Sequence, residues 1–73
     1  MKKYSFILYK KEGTKQKLSC NNHATFREAK EDLDKTLNTL GLKKENADKY
    51  EESEDNIFLV FENMVLKICP YFI

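Results

Sequence analysis

The sequence predicts an α+β fold: a two-layer sandwich in which one helix packs on one face of an antiparallel sheet. Three observations carry that reading. One helical pattern spans residues 25–42, strand-like alternation occupies "YSFILY" and "NIFLVFENMVLKICPYF", and these two apolar regions flank the helix in the chain. The element order is ββαββ with four strands, or ββαβββ with five if Tyr50 marks another. The 73 residues make a single domain, 1–73. A chain this short buries only about 60% of the surface its unfolded form exposes, so its stability is modest.

Each element has its own signal. Tyr4 to Tyr9 alternates aromatic and aliphatic residues and reads as a strand. "KKEGTK" then supplies a turn in which Gly13 can take a positive φ. Lys15 to Cys20 returns as a polar edge strand whose lysines discourage edge-to-edge pairing.

Thr25 and Glu28 have the spacing of a capping box, so a helix begins there. Phe26, Ala29, Leu33, Leu37 and Leu40 recur at three- and four-residue steps as one apolar stripe. Glu28, Glu31 and Asp32 lie early, where the helix macrodipole favours acids. Gly41 followed by Leu42 fits a glycine-terminated helix with an apolar contact back onto its last turn. Residues 43–56 form a charged connection in which Tyr50 is the single large apolar residue.

The C-terminal stretch holds more apolar residues than one buried face needs. A two-residue turn at Glu62 and Asn63 sets Phe61 opposite Met64, Leu59 opposite Leu66 and Ile57 opposite Ile68, all on the face toward the helix. The other face then takes Phe58 opposite Lys67 and Val60 opposite Val65, with Cys69 beyond. Pro70, which has no N–H to donate, is expected to end the ladder. In the first strand Tyr4, Phe6 and Leu8 share one face while Ile7 and Tyr9 share the other. One helix cannot cover both faces. The face away from it therefore collects Ile7, Tyr9, Phe58, Val60 and Val65, and contiguous apolar surface of that kind marks an interaction site.

Charge is near balance overall, at +1, but segregated along the chain. Residues 1–20 carry six lysines against Glu12, and residues 44–56 carry six acids against Lys44 and Lys49. The lysines Lys10, Lys11, Lys15 and Lys17 and the acids Glu51, Glu52, Glu54 and Asp55 are candidate charged contacts beside the sheet face, together with Lys67 on it. "MKKYSFILYKK" has too short an apolar core for an export signal and no segment is long enough to span a membrane, so a cytoplasmic setting with free thiols is expected.

Catalytic equipment is sparse. Cys20, His23 and Cys69 are three soft ligands where structural zinc takes four. Cys20 with His23 lacks the orienting group and pocket that a nucleophilic pair needs, and His23 reads as a polar loop residue before the helix. Gly13 and Gly41 lie in no phosphate-binding pattern. Cys20 and Cys69 read as small buried apolar residues. No catalytic residue, metal or cofactor is therefore expected, and the chain is not read as an enzyme.

A very short Lys/Glu/Asn-rich chain without catalytic groups resembles the small accessory proteins of phages and mobile elements. That resemblance implies a regulator or inhibitor of a host complex, such as a defence nuclease. The function expected is a non-enzymatic protein-interaction module acting through its open sheet face and charged segments. Its partner is a protein or a second copy in a four-layer homodimer, and the acidic stretch Glu45 to Asp55 could enter a basic groove. The alternative is a small RNA- or single-strand-binding protein, with Tyr9 and Phe58 stacking on bases beside the lysines. Against it stand the near-zero net charge and the absence of an RRM-type recognition sequence.

Overall fold

The computed structural model describes residues 2–10 and 16–72, arranged as β1 (Lys2–Lys10), β2 (Gln16–His23), α1 (Phe26–Leu40), a short 3-10 turn (Lys44–Asn46), β3 (Lys49–Glu52), β4 (Ile57–Val60) and β5 (Met64–Phe72). The turn expected around Gly13, with Lys11 and Lys15, lies outside the described residues. The five strands form one antiparallel sheet in the order β2-β1-β5-β4-β3. Tyr50 does mark a strand, and the order is ββαβββ.

The helix forms as its sequence signals require. The Thr25 side chain accepts from the Glu28 backbone N–H, and the Glu28 carboxylate accepts from the Thr25 N–H at 3.2 Å, closing the capping box. At the other end Gly41 sits at φ 72°, the Leu42 N–H donates to the Leu37 carbonyl and the Gly41 N–H to that of Asn38. This double bond pattern satisfies carbonyls that the helix end would leave unpaired, and it turns Leu42 back against the core.

Ala29, Leu33 and Leu37 are buried against Phe6, Ile57, Leu59, Phe61, Leu66 and Ile68, with Tyr4, Leu8, Phe26, Leu42 and Met64 around the margin. Leu40, expected in the stripe, is 39% exposed: it lies at the end of the helix, past the last turn that the sheet can cover.

The C-terminal hairpin has the expected register, Ile57↔Ile68, Phe58↔Lys67, Leu59↔Leu66 and Val60↔Val65. Its turn closes at Glu62 and Asn63, as the sequence predicts, with the Phe61 N–H donating to the Met64 carbonyl at 2.8 Å. That bond sets the alternation for the whole sheet. Residues 64, 66 and 68 direct their backbone groups to β4, so residues 65, 67, 69 and 71 direct theirs to β1.

Pro70 therefore does not end the ladder, contrary to expectation. β5 continues to Phe72 against β1, with Tyr4↔Pro70 and Lys3↔Tyr71 paired. The missing N–H falls on the β4 side, and β4 begins only at Ile57, opposite Ile68. No ladder bond is lost there.

β2 also runs further than expected, to His23, which pairs with Tyr4 instead of lying in a loop. A one-residue shift between Leu8 and Tyr9 marks a bulge at Leu18. The His23 Nε2 lies 2.8 Å from the Asp32 carboxylate, and the Asn21 amide donates to the same oxygen at 3.0 Å. These contacts tie the edge strand to the helix.

Leu33 is fully buried at the centre of the interface. We expect Leu33→Ala to lower unfolding free energy by about 3 kcal/mol through lost apolar contact and the cavity left behind. Thr25→Ala, which removes only the cap, should cost about 1 kcal/mol. Urea unfolding followed by circular dichroism reads both, and equal losses would contradict this assignment of the core.

Candidate functional site

Register alone assigns the side chains of the face opposite the helix. Running across the sheet, one row reads Cys20, Ile7, Lys67, Phe58 and Glu51. The next, toward the β4–β5 turn, reads Tyr9, Val65, Val60 and Lys49. On the other side lie Asn22, Ser5 and Cys69, then Lys3 and Tyr71. The structure thus brings Ile7, Tyr9, Phe58, Val60, Val65 and Lys67 onto one continuous surface spanning β1, β5 and β4.

These six side chains are half-buried rather than bare. Cross-strand neighbours shade one another, and long lysine stems lie over apolar surface while their ammonium groups reach water. The Lys49 ammonium stands 5.9 Å from the centre of the Phe58 ring and 3.7 Å from the Glu51 carboxylate. Lys67 lies between Ile7 and Phe58 in the central row, so the patch has a cation at its middle. Lys3 and Tyr71 belong to the same face but were missed in the sequence. Their strands extend past the apolar runs that marked β1 and β5, and only the pairing through Pro70 places them there.

The acidic candidates are dispersed. Glu51 faces outward opposite Phe58, whereas Glu52 points to the helix side and meets Lys30 at 3.4 Å. Asp55 pairs with Lys2 at 2.8 Å, and that contact holds its carboxyl below the usual range while raising the Lys2 ammonium. Glu54 is exposed in the turn between β3 and β4. Three of the six acids in this stretch are thus engaged by lysines of the same chain, Glu51 by Lys49, Glu52 by Lys30 and Asp55 by Lys2. Such internal pairing weakens any imitation of a phosphate backbone. Of the basic candidates, Lys10 ends β1 opposite Met64, and Lys17 pairs with Tyr9 through its backbone.

Cys20 is exposed and not buried as expected, because it sits on the edge strand. Its side chain shares the outer face with Ile7, while His23, three residues on, falls on the helix face with Asp32. The two do not form a pair. Strand β1 separates Cys20 from Cys69, and two strand spacings, about 9.6 Å, exceed the reach of a disulfide. Among the described residues no group of three or more His, Cys, Asp or Glu side chains is placed to hold a metal ion. No described helix is long and apolar enough to cross a membrane.

A concavity of 680 Å³ lies at the end of the sandwich between the helix C-terminus and the β4–β5 turn. Leu40, Leu42, Phe61 and Met64 line it, with Leu18 brought to the same rim by the β2 bulge. Its rim carries Lys10, Asp48 and Glu62, so both signs of charge are present. A lone bulged leucine and the last helical leucine are 22 residues apart in the chain, and no periodic pattern links them.

Comparison with protein-family models, curated proteins and solved structures finds no match to this chain.

Tyr50 offers a spectroscopic handle on the β3 edge. Its hydroxyl donates to the Glu52 carboxylate, and that bond, with some burial, pushes the phenol up to about 12. Glu52 is correspondingly lowered, first by Tyr50 and then by Lys30. The folded-state value lies above the unfolded one, so the contribution is complete below pH 10 and is lost as pH rises toward 12. Absorbance titration of the four tyrosines should show one late step near pH 12 that moves down in Glu52→Gln. An unchanged titration in that variant would contradict the contact.

Proposed function

We propose that this chain is a non-enzymatic protein-interaction module whose outer sheet face receives the partner. The apolar group Ile7, Phe58, Val60 and Val65 around Lys67 carries the proposal. Nine residues already form a buried core on the helix side, so these outward side chains are surplus to the interior. Their composition defines the partner's surface: an apolar ridge for the aliphatic and aromatic side chains, and a carboxylate for the Lys67 ammonium. Polar strands at the rim and an apolar centre follow the usual anatomy of such contacts. A cytoplasmic protein of this design acts by occupying a surface of its target. That is how a small accessory regulator or inhibitor of a host complex, including a defence nuclease, would work.

Single-stranded nucleic acid is the second reading, and one observation favours it. Tyr9, Phe58 and Tyr71 share the face with Lys3 and Lys67, which could stack on bases and hold phosphates. The protein reading is preferred because Ile7, Val60 and Val65 offer no stacking plane and Glu51 repels phosphate beside Phe58.

Capture of partners on the tagged chain from nuclease-treated lysate of its source organism tests the proposal. Phe58→Asp should lose the bound protein while the helix-surface control Lys35→Ala retains it. Retention by a folded Phe58→Asp would remove the outer face from consideration. Binding of labelled single-stranded RNA that strengthens as salt falls, and is lost in Lys67→Glu, would transfer the function to the second reading.

A further inference from the structure

The two edges of the sheet are built differently. β3 is four residues long and carries Lys49, Glu51 and Glu52, the short charged edge that resists pairing with other strands. β2 spans eight residues, and from Leu18 to His23 it has no lysine, arginine, aspartate, glutamate or proline. Lys17 stands near the start of the strand. In sequence the lysines near β2 predict protection along its length, but the strand extends three residues past Cys20, into a segment without lysine.

The hydrogen-bond alternation shows which backbone groups this edge presents. Residues 65, 67, 69 and 71 of β5 bond to Tyr9, Ile7, Ser5 and Lys3, so Tyr4, Phe6 and Leu8 bond to the other neighbour, β2. Their partners His23, Asn21 and Ser19 are thereby satisfied. The N–H and C=O groups of Cys20 and Asn22 point away from the sheet. The strand is also held in place beforehand. Asn21 and His23 are tied to Asp32, and the Asn22 side-chain oxygen accepts from the Ser5 hydroxyl at 2.8 Å.

We propose that β2 pairs antiparallel with β2 of a second copy, joining two sheets into one continuous ten-stranded sheet. The occupant is a second copy because the segment is its own complement. With Asn21 on the two-fold axis, Cys20 of each protomer faces Asn22 of the other, and Ser19 faces His23. No like charges meet in that register. The Cys20 and Asn22 backbone groups exchange four hydrogen bonds, and the closed two-fold contact leaves the charged β3 edges outermost. Both outer faces then lie on the same side of the joined sheet. The pairing does not depend on what those faces bind.

Light scattering over a dilution series, in reductant so that Cys20 cannot cross-link, tests this directly. A contact made by one strand pair falls in the small, transient class, below about 1,200 Å². The wild-type mass should therefore rise from 8.7 kDa toward twice that value only as concentration approaches millimolar. Cys20→Pro removes the outward N–H without touching a bond to β1, so it should stay at the monomer mass with an unchanged circular dichroism spectrum. If that variant is not folded, the exposed-site substitution Cys20→Lys decides, and should likewise be monomeric. A wild type that remains monomeric at millimolar concentration overturns the proposal. So does a folded Cys20→Pro or Cys20→Lys that still dimerises, a result that would place self-association elsewhere, as on the outer face.

Discussion

The size mismatch between one helix and five strands shapes both faces of the sheet. Fifteen helical residues make a cylinder about 22 Å long and about 10 Å wide, while five strands make a sheet about 24 Å across. The apolar stripe of Ala29, Leu33 and Leu37 therefore covers only the middle of one face, and the fully buried side chains gather there. Toward the edges the two layers are joined by polar reach. Asp32 meets Asn21 and His23 on β2, and Lys30 meets Glu52 on β3. These ties hold the margins without needing apolar surface, which suits a chain too short to extend its core.

Among the described residues, the same mismatch leaves the opposite face without a second layer. An antiparallel sheet can keep that side wet by making it polar. Here polar residues occupy its margins, Asn22 and Ser5 near one end and Lys49 and Glu51 at the β3 side, while β1, β5 and β4 contribute aliphatic and aromatic side chains. Lysine stems screen part of this area, so the surface stays compatible with water while keeping apolar atoms within reach of a partner. The acidic connection runs along the β3 edge of the sheet, where Glu51 and Glu52 lie. Ion pairs within the chain draw down much of that acidity, so the face is the stronger candidate for recognition than the acidic connection.

Much of this was legible in the residues because the signals were local. The capping box at Thr25, the glycine stop at Gly41 and the two-residue turn at Glu62 and Asn63 each act within a few positions, and each stands as read. Once the turn sets the register, the period of two assigns every β4 and β5 side chain to a face, which is why Phe58, Val60 and Val65 could be placed in advance. The misread features all depend on neighbours distant in sequence. Pro70 is tolerated because of where β4 begins, Cys20 is exposed because β2 is an edge, and Leu40 is uncovered because the sheet ends beneath it. Tyr71 and Lys3 joined the face only through pairing beyond Pro70. Local chemistry names elements, whereas the reach of one element over another is set by tertiary geometry.

In the function proposed above, the outer face serves a partner and not the fold. Equilibrium unfolding of the triple variant Phe58→Thr, Val60→Thr, Val65→Thr separates the two roles, since threonine keeps the strand preference while removing the apolar surface. This variant should be folded and cooperative and should lose less stability than the single core substitution Leu66→Ala. A triple variant that unfolds, or loses more than Leu66→Ala, would show that these side chains are needed to hold the chain together.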